Sequence, residues 1–407
     1  MLVKIILFCV LIVFGETFEV SNETQNGTSE NNLVYAVVID AGSTGSRVVG
    51  YEFEKQGEDL KLLREEFHKQ RPGLSSYANN PELGAQKIMD LLNQANNFVP
   101  DHKKTETILY LRATAGLRLL GEEVAQKLLQ AVQRQFEKTS YKVEQNAAGL
   151  LSGTDEGIFA WFAVNYFKET LDKRTYAALE MGGGSAQVTY VPQYKYVNFL
   201  KKDIHPVPYK NLKVFSKSFL GLGLNAARDT MFQADSWNKI EEGQTVFSRC
   251  FHPQIKNVEF EFNNKKYYIS GKPGDLRNNR PNMYSCRYYV IKYILPKIQP
   301  KPLGLCEEDS VALSAFYYRG RAAELIVGSS GKICLGDLWR KADMECAKPN
   351  EKDPFLCMDM IYMYTLLKNG YGLRDTNYLE MILNIDNHEL SWALGFAYSK
   401  LIEKIQN

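Results

Sequence analysis

Two stretches set an acid and a run of small hydrogen-bonding residues directly after an apolar strand. The first is Asp40-Ala41-Gly42-Ser43-Thr44-Gly45-Ser46-Arg47-Val48, preceded by Val34-Tyr35-Ala36-Val37-Val38-Ile39. The second is Glu180-Met181-Gly182-Gly183-Gly184-Ser185-Ala186-Gln187, preceded by Thr175-Tyr176-Ala177-Ala178-Leu179. Such a turn can handle phosphate. Glycine lets the backbone bend sharply and come close to an anion, and successive amides point inward as an anion nest. The hydroxyls of Ser43, Thr44, Ser46 and Ser185 add donors. An acid at the strand end, such as Asp40, can hold a divalent cation through water. A single turn of this kind is weak, because many Gly-Ser turns after strands are plain hairpins. Two turns in the same acid-x-Gly frame, 140 residues apart, form an internal repeat about one domain long. They imply two related lobes, each giving a hairpin to the cleft between them, where a polyphosphate is gripped from both sides.

A third acidic site is Ser152-Gly153-Thr154-Asp155-Glu156-Gly157, followed by the apolar run Ile158–Val164. Acids in the first turn of a helix are favoured by its dipole, which is the plain structural account of Asp155 and Glu156. The same dipole keeps a carboxylate ionised and ready to accept a proton. Arg47 and Arg118 read as structural ion pairs, and Trp161 and Trp392 as core. Tyr317 and Tyr371 are candidates to sandwich a ring, with a core or surface role equally compatible. Gly221-x-Gly223-x-x-Ala226 imitates a dinucleotide fingerprint, but no clean parallel strand precedes it and no acid follows at the right distance.

These residues need strands and helices to place them. Val48-Val49-Gly50-Tyr51-Glu52-Phe53 returns as a strand, so the first turn is a hairpin tip. Apolar residues at helical spacing predict helices over 82–98 and 122–136, and Thr107–Leu111 is a second buried strand that ends in Arg112-Ala113-Thr114-Ala115-Gly116-Leu117-Arg118. Tyr141–Glu144 is expected as a short strand. Strands alternating with helices imply an α/β lobe with a mainly parallel sheet. Further on, 309–326 and 358–368 are expected to be helical, and the apolar segment 389–398 is expected to pack back on the first lobe.

The chain has 407 residues, enough for two lobes, and its formal charge of +2 is spread without the basic block that nucleic-acid binding needs. Met1-Leu2-Val3-Lys4 followed by the apolar stretch 5–14 reads as a signal peptide over 1–18, too short for an ordinary membrane span. Asn22 and Asn26 are glycosylation acceptors in a polar tail over 19–32. The mature chain is expected to be exported, either secreted or held in the ER or Golgi lumen. Beyond Cys9, six cysteines remain: Cys250, Cys286, Cys306, Cys334, Cys346 and Cys357. An even count in an exported chain reads as disulfides, with fifteen possible pairings. They lack paired C-x-x-C steps, and the five histidines are scattered, which argues against zinc.

The motifs together resemble those of the ecto-nucleoside triphosphate diphosphohydrolases, the apyrase family. Its five motifs stand in order as Asp40–Arg47, Ala113–Arg118, Gly153–Gly157 with Trp161 and Asn165, Gly182–Gln187, and Ser391-Trp392-Ala393-Leu394-Gly395. The resemblance implies a two-lobed, actin-like α/β fold with an RNase-H-like core in each lobe and a nucleotide cleft between them. The expected division is 33–151 plus 386–407 for the first lobe and 152–385 for the second. It further implies Mg or Ca dependence and release of the terminal phosphate from nucleoside di- or triphosphates such as UDP, GDP, ADP and ATP. With one signal segment and no C-terminal span, the chain looks like the soluble, luminal or secreted branch, which often prefers diphosphates. One departure stands out: the family usually has Asp-Leu-Gly-Gly in the second hairpin, and here Glu180-Met181-Gly182-Gly183 reaches one methylene further.

Hydrolysis needs charge neutralisation, positioning and a directed water. Phosphate contacts are expected from Gly42, Ser43, Thr44, Gly45, Ser46, Thr114, Gly182, Gly183, Gly184, Ser185 and Ala186. Asp40 and Glu180 are expected to hold the cation through water. Glu156 is expected as general base, with Ser185 and Gln187 orienting the water. A small-molecule kinase of the same fold would share the hairpins but needs a bound acceptor; export and the Glu156 motif argue against it. A chaperone-type ATPase would need a peptide-binding domain for which no length remains. A catalytically inactive nucleotide-binding protein is the non-enzyme alternative, and Glu180 alone favours it.

Overall fold

The computed structural model describes residues 32–207, 209, 212–236, 238–263, 265–273 and 279–406. The signal-peptide and glycosylation expectations fall on residues outside these, apart from Asn32. The chain begins with β1 (Leu33–Ala41), whose Ala36–Ala41 are buried without a break, as befits a central strand covered on both faces. It turns into β2 (Ser46–Gln56) and β3 (Asp59–Gln70). Helix α1 (Pro81–Gln94) starts with proline, capped by the Asn80 side chain, and buries Ile88, Leu91 and Leu92. After the short α2 (Asp101–Lys104) come β4 (Ile108–Ala113), α3 (Ala115–Arg118), α4 (Glu122–Phe136) and β5 (Ala148–Leu150). The first sheet has the order β3-β2-β1-β4-β5.

Helix α5 (Gly153–Phe167) leads into the second half, which begins with β6 (Ala177–Met181) and β7 (Ser185–Tyr190). Then follow α6 (Tyr194–Leu200), β8 (Ile204–Pro206), β9 (Lys213–Leu220) and α7 (Leu224–Ser236). A small sheet of β10 (Thr245–Ser248), β11 (Val258–Phe262) and β12 (Lys265–Gly271) is followed by α8 (Met283–Tyr289). The chain continues through β13 (Ser310–Ser314), α9 (Ala315–Ala322), β14 (Ser330–Cys334), α10 (Leu335–Cys346), α11 (Leu356–Thr365) and β15 (Tyr378–Ile382), and ends in α12 (Trp392–Gln406). The second sheet has the order β14-β15-β13-β6-β7-β9-β8.

The repeat is a repeat of topology. In the first sheet β1 pairs antiparallel with β2 and parallel with β4; in the second, β6 pairs antiparallel with β7 and parallel with β13. Each sheet has its own apolar core. Helix α5 packs on α12 and on the second sheet, apolar almost all round because it is covered on both sides. Segment 389–398 does return to the first core, through Trp392, Leu394, Phe396 and Tyr398.

Several expectations are corrected. The first sheet is mixed, since β1–β2 and β2–β3 are antiparallel. Segment 309–326 is a strand and then a helix: Val311, Ala312 and Leu313 fill a strand buried between two parallel neighbours, where an apolar run reads the same as a helix. At 141–144 there is only an isolated bridge from Lys142 to Ile108, and the paired strand is β5. Two disulfides form, Cys250–Cys286 and Cys346–Cys357. Cys306 and Cys334 stay unpaired. The Cys306 thiol lies by the Arg374 guanidinium, and Cys334 precedes α10, its amide donating to Asp337.

Candidate active site

The two hairpins line one cleft of about 580 Å³. They close alike. Asp40 faces Arg47 and Ala41 faces Ser46, with the Gly42 amide donating to the Gly45 carbonyl at 3.0 Å. Glu180 faces Gln187 and Met181 faces Ala186, with the Gly182 amide donating to the Ser185 carbonyl at 3.0 Å. The tips meet: a Cβ on Gly183 would stand 2.4 Å from Ser43 Oγ. The fingerprint-like stretch 221–226 braces the second tip. Gly221, Leu224 and Asn225 amides donate to the Gly184, Gly182 and Gly183 carbonyls at 2.8, 2.8 and 3.0 Å. Three acceptors that would repel a phosphate are thereby occupied. Thr114 lines the same cleft, its amide bonded to Ala41.

Asp40 and Glu180 are both buried in the cleft wall. Arg47 Nη1 stands 3.5 Å from Asp40 Oδ2, while Asp40 Oδ1 has no partner. Ser314 Oγ donates to Glu180 Oε1 at 3.4 Å, while Glu180 Oε2 has no partner. Burial pushes Asp40 up to about 6 against the pull of Arg47, and burial together with the Asp40 charge pushes Glu180 up to about 7. Two orphaned carboxylate oxygens in one polar cleft fit a cation held through its water shell. No group of three or more His, Cys, Asp or Glu among the described residues is arranged for direct ligation.

The dipole account of the third acidic site divides between its two residues. Asp155 belongs to the helix cap: its amide donates to Ser152 Oγ at 3.0 Å and its carboxylate accepts from that hydroxyl at 2.7 Å. Glu156, one position on, turns inward and is buried. Its Oε2 accepts from Arg118 Nη2 at 2.5 Å and from Gln187 Nε2 at 2.9 Å. Gln187 Nε2 also reaches Ser185 Oγ at 2.9 Å and Ser218 Oγ at 3.1 Å. Burial and the charges of Glu180 and Asp40 raise the Glu156 carboxyl well above its usual range, against the Arg118 cation.

The structure brings Asp40, Thr114, Glu156, Glu180 and both glycine tips to one cleft, with Ser185 and Gln187 beside Glu156. Ala186 is not among the residues lining the cleft, and its methyl is buried in the second core. Tyr317 and Tyr371 are not brought to the cleft. Tyr317 is buried with its hydroxyl donating to the Gly328 carbonyl, and Tyr371 packs against Phe219 in the second core. Tyr318, the next residue on α9, lines the cleft instead, with Asn225, Arg228 and Arg319. Both arginines share the buried Asp359. Arg118 was legible only as an ion pair, and nothing in the sequence marks Arg228 as lining the cleft or Ser218 as a partner of Gln187.

A family profile described as the GDA1/CD39 (nucleoside phosphatase) family matches residues 26–311 and 328–406. Similar proteins include ectonucleoside triphosphate diphosphohydrolase 5 of Gallus gallus, 33% identical over 92% of this chain and 89% of its own. Nucleoside diphosphate phosphatase ENTPD5 of Homo sapiens is 32% identical over 91% and 88%, and nucleoside-diphosphatase uda-1 of Caenorhabditis elegans 31% over 90% and 81%. Among solved structures, nucleoside triphosphate hydrolases from Neospora caninum superpose with a TM-score of 0.64 at 12% identity, covering 92% of this chain and 93% of that one. A Ppx/GppA protein from Aquifex aeolicus gives 0.52 at 14%, covering 91% and 99%. The fold is the actin-like α/β arrangement expected.

Proposed function

We propose, from the premise that this chain belongs to the GDA1/CD39 (nucleoside phosphatase) family, that it removes the terminal phosphate of nucleoside di- or triphosphates, with UDP, GDP, ADP and ATP as candidates. The chain is an enzyme of the nucleoside triphosphate diphosphohydrolase and nucleoside diphosphatase type. The observation that carries the finer reading is the pairing of two like hairpins across one cleft with a buried carboxylate between them.

The tip amides and the Ser43, Thr44 and Ser185 hydroxyls hold the phosphates in line. Asp40 and Glu180 would hold Mg or Ca through water, and the cation, when bound, neutralises charge on the phosphate oxygens. Glu156 takes a proton from water as the water oxygen bonds to the terminal phosphorus. The bond from phosphorus to the bridging oxygen breaks, and the shortened nucleotide leaves with that oxygen. Gln187 and Ser185 orient the water. Residues 33–151 with 386–407, and 152–385, act as the two lobes. No helix of the described residues is long and apolar enough to cross a membrane, and two disulfides support an oxidising compartment, secreted or luminal.

The test is phosphate release from ATP, ADP, UDP, GDP and CDP by purified protein, without any acceptor, with Mg, with Ca and with excess EDTA. Release that EDTA abolishes and either cation restores is expected. Glu156→Gln should fold and lose roughly 100-fold or more of turnover. Undiminished release in chelator would remove the two-acid cation site, and near-normal turnover in Glu156→Gln would remove Glu156 as base.

A further inference from the structure

A carboxylate that takes a proton needs one oxygen free and the other held, and Glu156 has that arrangement. Arg118 and Gln187 hold Oε2 at 2.5 and 2.9 Å. Among the described residues the hydrogen bonds to Glu156 both go to Oε2, and Oε1 is not among the buried unpaired atoms. The holder comes from the opposite half of the molecule. Arg118 ends α3, which follows β4 of the first sheet and packs on the first hairpin, where the Gly116 backbone lies against Ser43. Glu156 stands in the first turn of α5, over the second sheet. The guanidinium reaches further, to Ser185 Oγ at 3.4 Å. It touches Glu156 and a hydroxyl of the second hairpin but does not line the cleft.

The groups facing Glu156 make a cation there more than incidental. Asp40 from β1 and Glu180 from β6 both disfavour a third negative charge, and Arg118 from α3 is the cation that opposes them.

We propose that Arg118 is a positioning residue for the hydrolysis: from the first lobe it clamps Glu156 Oε2, so that Oε1 is the atom that accepts the proton of the attacking water. This rests on Glu156 being the base. Arg118 acts chiefly through Glu156, at 2.5 Å, its contact to Ser185 Oγ being the longer one at 3.4 Å, and it does not line the cleft.

The test is a double-mutant cycle on steady-state kinetics with a nucleotide that the wild type hydrolyses, at saturating cation. Arg118→Gln is expected to lower kcat roughly 100-fold, the scale of a misplaced reacting group, with KM within about twofold. In the Glu156→Gln background, Arg118→Gln should cost less than about threefold further, because the group it chiefly positions is gone. A merely structural arginine would give losses that multiply, and a phosphate ligand would raise KM; either result overturns the proposal. If Arg118→Gln does not fold, as judged by its unfolding midpoint, Arg118→Lys carries the same cycle, with a smaller kcat loss that again largely disappears in the Glu156→Gln background. Failure of the base assignment is separable. It shows as an active Glu156→Gln, whereas an inactive Glu156→Gln beside a fully active Arg118→Gln overturns only the clamp.

Discussion

Asp40 and Glu180 hold their protons more tightly folded than unfolded, so the molecule's stability depends on pH. Their usual values of 3.8 and 4.5 are raised to about 6 and about 7. Between those limits the folded state binds more protons than the unfolded one, and stability falls as pH rises. The stabilisation from these two protons is complete below about pH 4 and lost as pH climbs through 6 and 7. Each shift corresponds to roughly 3 kcal/mol. Without divalent cation, the unfolding midpoint is therefore expected to drop between pH 5 and pH 8. Mg or Ca, which needs the carboxylates ionised, should restore more stability at pH 8 than at pH 5.5. Thermal unfolding in EDTA and in saturating cation, across that range, checks both signs. A midpoint that rises from pH 5 to 8 in EDTA would mean these carboxylates are not held protonated by the fold.

At the scale of the element, the second hairpin is shaped by what stands behind it as much as by its own glycines. A Cβ on Gly183 would meet Ser43 Oγ, the end of a side chain that can turn away. A Cβ on Gly223 would stand 2.4 Å from the Gly184 and Ser185 amide nitrogens, which cannot move without moving the tip. Gly223→Ala is thus expected to lower the unfolding midpoint and cost most of the activity, whereas Gly183→Ala should keep the midpoint and mainly weaken nucleotide binding. Unfolding curves and KM for the two variants, compared side by side, distinguish them; equal loss of stability would mean that the brace does not set the tip. The acid-x-Gly frame was legible because strand, acid and glycine lie next to one another in the chain. The brace was legible only as a broken dinucleotide motif, since its partners are 37 to 42 residues upstream. Tyr317 and Tyr318 show the same limit: which of two adjacent tyrosines on α9 faces the cleft depends on how the helix is rotated against β13.

At the scale of the molecule, the site is split between halves that must be held in register. Asp40, Thr114 and Arg118 stand on or just after strands of the first sheet, Glu180 and Ser185 on strands of the second, and Glu156 in the first turn of α5, which packs on the second sheet and on α12. The repeat announced two lobes, but it said nothing of the helix pair that joins them, because that pair lies outside the repeated unit. Helix α5 meets α12 through Phe159 and Phe396, with ring centroids 5.6 Å apart, and Phe162 and Tyr398, at 4.6 Å. Phe396 also meets Tyr110 of β4 at 5.2 Å and Trp392 at 6.3 Å. One buried ring therefore ties the C-terminal helix to the first sheet and to the helix that carries Glu156. Removing it by Phe396→Ala leaves a cavity and is expected to cost about 3–5 kcal/mol of stability. The cavity also frees α5 to shift against the first sheet, so activity should fall well below the temperature at which the protein unfolds, and kcat should fall more than KM rises. Phe396→Leu, which refills most of the volume, should recover both. Denaturant midpoints and kinetics at 25 °C measure the two losses separately. A variant that loses stability yet keeps full kcat would show that the lobes stay in register without this contact.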